Sequence, residues 1–209
     1  MKLEEEKGSL LHEELWQQLA SLDRQKTSQR AKCQYLADPE RYVITLLNTE
    51  YVVNLTAQQI FSSQPGSEPA EFLEQLCLLA YLINAKDLSL ADKLVSAESL
   101  PGGAFFFRGP HALPTRKLEE TFGDKPDLLY EAGARLNAKQ RDFGDASVEL
   151  LVLPRIPLTF VIWAGDEEFP ARASILFDET TGSHLLLDAL LAAVNLAVDA
   201  LVKAAGQSS

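Results

Sequence analysis

The segment "SVELLVLPRIPLTFVIWAGDEEFPARASILFD", residues 147–178, decides the fold class. It contains three runs rich in β-branched and aromatic residues, a composition typical of β-strands. These runs are 147–154, 156–165 and 173–178. Residues 154–157 connect the first run to the second, and an acidic turn separates the second from the third. Three successive strands joined in this order predict an antiparallel meander.

Elsewhere the chain alternates between strand and helix patterns. "RYVITLLNTEYVVNL", residues 41–55, predicts a β-hairpin whose turn lies at Asn48-Thr49-Glu50. Apolar residues at three- and four-residue spacings predict amphipathic helices. Helices are expected over 8–22, after Pro69, in two pieces over 115–140 that break at 122–124, and from 183 to 205.

These elements predict an α+β protein: a mixed, largely antiparallel sheet of roughly five strands, with helices packed on it. The early hairpin and the late meander would share this sheet. The chain has 209 residues, of which 46% are hydrophobic and 23% charged, which favours a folded domain over disorder. We expect one domain over residues 1–209, with 1–7 and 206–209 disordered.

Charge and apolar content exclude two classes of partner. The formal net charge of −11 would repel a phosphate backbone, so we expect no nucleic acid partner. Residues 183–205 are apolar enough to suggest a membrane helix, but Asp188, Asn195 and Asp199 form a polar stripe that predicts a helix packed in a protein core. The acidic start "MKLEEEKG" does not resemble a secretory signal. We therefore expect a cytoplasmic protein without a membrane partner.

The cysteines predict neither a disulfide framework nor a metal site. Cys33 and Cys77 are 44 positions apart, and neither belongs to a CxxC motif. We interpret both as reduced thiols, with Cys77 in the core. No residue pattern identifies a cofactor, and the cofactor is left as unknown.

The stretch "LPGGAFFFRGPHALP", residues 100–114, has the most unusual composition in the chain. The adjacent Gly102 and Gly103 permit close approach of backbone or ligand, and the three prolines disfavour helix. Phe105, Phe106 and Phe107 cannot all face one side of a strand, so at least one is buried elsewhere or exposed for a partner. We expect an ordered loop with an apolar centre.

The acidic turn admits three interpretations. Asp166, Glu167 and Glu168 could form an ordinary solvated turn in which one carboxylate binds the backbone. They could coordinate a hard cation, although no EF-hand loop is present and we predict no metal. They could instead pair with Arg108 and Arg155. In this last interpretation the five charged residues line a pocket together with Phe107, His111 and Trp163.

Evidence for catalysis in the sequence is weak. His111 could act as a general base beside a carboxylate of residues 166–168, but the chain has no GxSxG, HExxH, P-loop or dinucleotide-binding motif. His184, next to Ser183 at a predicted helix start, is interpreted as a residue of the helix cap.

Four segments together resemble an uncharacterised prokaryotic family, domain of unknown function 3786. They are residues 100–114, "FGDAS" at 143–147, "LPRIPLTFVIWAGDEEFPA" at 153–171 and "ILFD" at 175–178. The resemblance implies an anaerobic bacterium or archaeon, where some family members occur with an iron–sulfur cluster domain. Two cysteines are too few to hold a four-cysteine cluster, so any such cluster would belong to a partner protein.

The sequence thus favours a soluble binding or accessory module that serves an anaerobic redox or cofactor-dependent system. It would recognise a small molecule, a cofactor or an iron–sulfur or other redox partner protein through loops 101–114, 154–157 and 163–171. The alternative is a small-molecule enzyme that uses His111 and a carboxylate of 166–168 for proton transfer.

Overall fold

A computed structural model describes residues 12–64 and 66–206 of the chain. The helices are α1 (residues 12–20), α2 (Arg24–Ala31), α3 (Phe72–Asn84), α4 (Gly103–Phe106), α5 (Thr115–Phe122), α6 (Asp127–Arg135), α7 (Thr181–His184) and α8 (Leu187–Ala205). The strands are β1 (Gln34–Ala37), β2 (Glu40–Leu46), β3 (Thr49–Asn54), β4 (Gln59–Ser62), β5 (Leu94–Val95), β6 (Lys139–Arg141), β7 (Ala146–Leu153), β8 (Ile156–Trp163) and β9 (Arg172–Asp178). The predicted disorder of residues 1–7 and 207–209 lies outside the described residues, and Gly206 is described at the end of α8.

The first sheet contains the predicted hairpin. Strands β1 to β4 follow one another in space in chain order, and each pair is antiparallel. The turn between β2 and β3 consists of Leu47 and Asn48, both with positive φ, 49° and 62°. A two-residue hairpin turn of type I′ needs positive φ at both positions, and asparagine tolerates positive φ better than most residues. The hairpin is confirmed, with its turn about one residue earlier than predicted.

The second sheet contains the predicted meander. Its strand order is β5-β9-β8-β7-β6, with antiparallel pairing throughout. The α+β class is confirmed. The hairpin and the meander, which we expected to share one sheet, belong to two. They meet where the Leu47 N–H donates to the Val152 carbonyl (3.0 Å) and the Asn48 side-chain amide donates to the Leu136 carbonyl.

Helices cover one face of the second sheet. Helix α8 packs against α3, α5 and α6, while α5 contacts β9 and α6 contacts β7. Every residue of β8 from Ile156 to Ile162 is buried, so this central strand is covered on both faces. On α8, Asp188 and Asp199 are exposed and Asn195 is half-buried, which is the predicted polar stripe. No helix among the described residues has the length and apolar character needed to cross a membrane.

Candidate functional site

The loop at 101–114 is ordered by close backbone packing. It folds into α4 and a 3₁₀ turn, Gly109–His111. Gly102 precedes α4 with φ of 78°, a conformation that side chains disfavour. A Cβ atom added to Gly103 would lie 1.9 Å from the Ala97 carbonyl oxygen, so no other residue fits there. The predicted close approach at the glycine pair is therefore an approach of backbone to backbone.

The three phenylalanines of this loop occupy three different environments. Phe107 is 8% exposed, and its ring centroid lies 6.3 Å from that of Phe177 on β9. Phe106 meets Phe107 edge-on and stacks on the imidazole of His111 at 4.7 Å. Phe105 is 86% exposed, with the Arg108 guanidinium 5.9 Å from its ring centroid. The loop is thus anchored by one aromatic ring and presents another to solvent, as its composition predicted.

A groove of about 330 Å³ separates this loop from strand β9, and we call it the β9 groove. Its lining consists of Ser96, Ala97, Glu98, Phe107, Ala112, Leu113, Thr115 and the β9 residues Ala173, Ser174, Ile175 and Leu176. Glu98 is exposed. Hydrogen bonds from its own backbone N–H and from the Ser96 hydroxyl, and the nearby charge of Arg108, lower the pKa of the Glu98 carboxyl. The groove therefore has a negatively charged rim at neutral pH.

Arg155 has a structural environment that differs from the one predicted. It is 4% exposed, and its Nη2 lies 2.6 Å from the Asp87 carboxylate. Its Nε donates to the Arg30 carbonyl (2.8 Å), and its Nη1 donates to the Leu88 carbonyl. These contacts fix the β7–β8 turn onto two segments distant in sequence. Arg155 pairs with Asp87, and the predicted pairing with the acidic turn is wrong.

The acidic turn follows the first of the three interpretations. The Asp166 carboxylate accepts hydrogen bonds from the N–H groups of Glu168 (2.8 Å) and Phe169 (2.7 Å). These bonds stabilise the ionised form and lower the pKa of Asp166. Glu167 and Glu168 are exposed and form no ion pair with any described residue.

Trp163 forms a second surface depression beside this turn. The Arg172 guanidinium lies 4.6 Å from the Trp163 ring centroid, a cation–π contact. A depression of about 430 Å³ is lined by residues 163–164 and 169–172, including the exposed ring of Phe169. Trp163 and Arg172 are register partners at the start of β9, while Phe107 packs on Phe177 near its end. The predicted site residues therefore form two separate surfaces and an interior contact, in place of one pocket.

The proton-transfer pair of the alternative hypothesis is not formed among the described residues. His111 is exposed and stacked on Phe106, and no hydrogen bond or ion pair joins it to Asp166, Glu167 or Glu168. No group of three potential metal ligands is found in the part of the chain that the structure describes.

His184 is a buried residue whose environment the sequence did not reveal. It ends α7 and is fully buried, and its Nδ1 accepts a hydrogen bond from the Lys86 N–H (3.2 Å). Its Nε2 has no partner among the described residues. Burial lowers the pKa of His184, and the charge of Arg155 lowers it further. Local sequence does not distinguish a buried histidine at a helix end from an exposed residue of a helix cap.

The two cysteine thiols are poorly reactive because they are buried or half-buried. Cys77 is fully buried and Cys33 is half-buried, and neither forms a disulfide. Burial raises the pKa of the Cys33 thiol to about 12, and that of Cys77 is raised as well. Both thiols are therefore protonated at neutral pH and make poor nucleophiles or metal ligands.

Comparison with known families supports the resemblance found in the sequence. A family model described as a domain of unknown function, DUF3786, matches residues 23–200. Searches of curated proteins and of solved structures found no match. The matched range contains every predicted site residue, and the chain belongs to this family.

Proposed function

We propose that this member of the DUF3786 family is a binding or accessory module that recognises a partner protein or small molecule at the β9 groove and its neighbouring loop. The observation that carries the proposal is the groove itself, which is bordered by a loop that packs on β9 through Phe107 and exposes Phe105 and Arg108. Ordered loops that expose aromatic and charged side chains are common binding elements. An exposed phenylalanine is unfavourable in water, so its position beside a groove is consistent with a binding role.

The candidate residues other than His111 each have a role in this proposal. Arg108 would hold an anionic group of the ligand or partner, and Phe107 and Phe105 would supply apolar contact. Trp163 and the acids of the turn would form a second contact surface for a large partner. Arg155 is saturated by Asp87 and two carbonyls, so it would support the scaffold and not touch the ligand.

The biological setting we propose is an anaerobic redox or cofactor-dependent system in the cytoplasm. It rests on the family resemblance described above, which implies that some relatives occur with iron–sulfur domains. An iron–sulfur cluster would be carried by the partner, because both cysteines here are protonated and largely enclosed. We do not extend the proposal to catalysis, since His111 has no acidic partner among the described residues.

Native mass spectrometry of the protein isolated without oxygen from its own host tests this function. We expect mass beyond the 23.0 kDa chain, from a small molecule or a second polypeptide. Arg108→Ala should lose that mass while keeping the wild-type melting temperature. Lys125→Ala, which removes an exposed positive charge from the α5–α6 connection, is the matched control and should keep it. A bare chain in every preparation would refute the proposal.

A further inference from the structure

A second groove lies between α1, α3 and α8, and we call it the helix groove. Its volume is about 390 Å³, and all of its lining residues are apolar except Asp188 and Asn195. Helix α1 is held beside α3 by a contact of 2.6 Å between His12 Nε2 and Gln75 Oε1. The helix groove shares no lining residue with the β9 groove. An occupant of the helix groove would therefore be distinct from a ligand of the β9 groove.

The rim of the helix groove exposes large apolar side chains. Phe72 and Leu73 at the start of α3, and Leu186 just before α8, are between 37% and 59% exposed. Leu15 of α1 and Leu191 of α8 are half-buried in the same lining. Single exposed apolar side chains are common on soluble proteins, but several that border one concave surface mark an interaction site. The rim therefore indicates a surface that another apolar surface covers.

The floor of the helix groove consists of alanines. Ala80 of α3 and Ala189 and Ala192 of α8 are the buried residues of the lining, whereas its other residues are exposed or half-buried. The two helices lie close together here, since the Cys77 thiol donates to the Ala189 carbonyl (3.4 Å). A further helix packs on two others when its side chains enter the space between their larger residues. Small residues on the floor leave that space open, so the shape suits a helix.

The charges around the helix groove are negative. No lysine or arginine occurs in the described part of α1, in α3, or in α8 before Lys203. Glu13, Glu14 and Asp188 are exposed and form no ion pair with any described residue. Asp188 itself lines the groove. Complementary charge across an interface favours the right partner and repels wrong ones, so the occupant carries positive charge beside its apolar face.

We propose that the helix groove binds an amphipathic helix of a partner protein, with its apolar stripe against the rim and floor and a lysine or arginine beside Asp188. Binding of such a helix in an apolar groove is a recurring mode of peptide recognition, in which residues at three- and four-residue spacings enter the groove. The inference goes beyond the proposed function, because it assigns a second binding surface to the chain.

A synthetic peptide of leucine and lysine, about four helical turns long, provides the probe. Its leucines recur at helical spacings and its lysines occupy the other face. It should bind the full chain, and its helical circular dichroism should increase on binding. A control peptide of the same composition, in which leucine and lysine alternate, should bind about tenfold more weakly or less. Equal affinity of the two peptides would overturn the proposal, because recognition would then not require a helix.

Two double variants of matched residue types test the location. Phe72→Ala with Leu186→Ala removes two rim side chains and should weaken binding of the helical peptide about tenfold or more. Phe143→Ala with Leu151→Ala removes the same residue types from the β6–β7 turn and β7, and should change the affinity less than about twofold. All four side chains are exposed, so both proteins should keep the wild-type melting temperature. Equal loss of affinity in the two would overturn the proposal.

The predicted charge match is tested at Asp188. Asp188→Asn should weaken binding of the lysine peptide and reduce the dependence of its affinity on salt. Asp124→Asn, which removes an exposed carboxylate from the α5–α6 connection, is the matched control and should leave both unchanged. Equal behaviour of the two variants would contradict the placement of a basic residue beside Asp188.

Two other occupants would give different results. If the wild type is a dimer in solution and the Phe72→Ala and Leu186→Ala double variant is a monomer, a second copy of this chain covers the groove. If phosphatidylcholine vesicles bind the wild type and not that variant, a lipid surface covers it. Either result would overturn the proposal. Arg108→Ala should leave binding of the helical peptide unchanged, which separates this test from that of the proposed function.

Discussion

Two segments of this chain have similar compositions and opposite roles. The β7–β8 turn and the loop at 101–114 each combine prolines, an arginine and apolar neighbours. Arg155 in the first is buried and contacts Asp87, Arg30 and Leu88. Arg108 in the second is exposed beside Phe105. Local composition identified both as unusual, but only the position of distant chain segments determines which arginine reaches solvent.

The difference between the two arginines indicates how one buried side chain can fix a loop whose other side chains form a binding surface. Phe107 anchors the 101–114 loop on β9, while Phe105 and Arg108 remain exposed. In the β7–β8 turn the arginine itself is the anchor. Substitutions in the two segments should therefore separate residues that stabilise the fold from residues that contact a ligand.

The largest effect is expected at Phe107. Phe107→Ala should lower the free energy of unfolding by about 3–5 kcal/mol, because a buried aromatic ring is lost and a cavity remains. Phe105→Ala, in the same loop, should change it by less than about 1 kcal/mol, since that ring is exposed. Urea denaturation of both variants measures the difference. Similar losses at the two positions would contradict the anchor assignment.

A somewhat smaller decrease in the free energy of unfolding is expected when Arg155 is replaced. Arg155→Ala should cost about 2–4 kcal/mol, because the carbonyls of Arg30 and Leu88 lose their donor. Asp87→Ala should cost no more than about 1 kcal/mol, since its side chain is 70% exposed and the pair is partly screened. Arg108→Ala should change the free energy of unfolding by less than about 0.5 kcal/mol. If Arg108→Ala proved as costly as Arg155→Ala, the contrast between the two segments would be lost.

The smallest expected effect is a change in folding stability with pH, caused by the buried His184 near Arg155. The pKa of His184 is lowered in the folded protein, so the unfolded chain binds a proton more readily. His184 therefore contributes stability above its unfolded pKa of about 6.5, and this contribution falls as pH falls toward the folded pKa. The expected loss is at most about 1.4 kcal/mol per pH unit within that window.

Denaturation at pH 7 and pH 5 measures this effect. His184→Gln should remove that part of the pH dependence, while His111→Gln should retain it because His111 is exposed. Equal pH dependence in the wild type and His184→Gln would exclude His184 as the group responsible.

Much of the fold could be predicted because it depends on local patterns. Runs of β-branched and aromatic residues predicted the β2–β3 hairpin and the meander, and the spacing of apolar and polar residues predicted α3 and α8. The division into two sheets could not be predicted, since it depends on which strand edges meet. Strand β5 was not predicted, because its two residues are too few to show a periodic pattern.

The site was predicted less well, for a different reason. The exposed and buried phenylalanines and the close approach at Gly103 follow from local sterics. The partner of Arg155 lies 68 residues away, and neither charge pattern nor motif links the two.

The Ala173 N–H on β9 donates to the Glu119 carboxylate of α5 (3.1 Å), and this contact affects the solution behaviour of the protein. A long bare strand edge invites other copies to stack on it and leads to aggregates. Here a carboxylate occupies one end of the β9 edge and β5 occupies the other, which leaves a gap too short for open-ended stacking. The Glu119 carboxylate and strand β5 thus protect the protein from polymerising through the edge of β9.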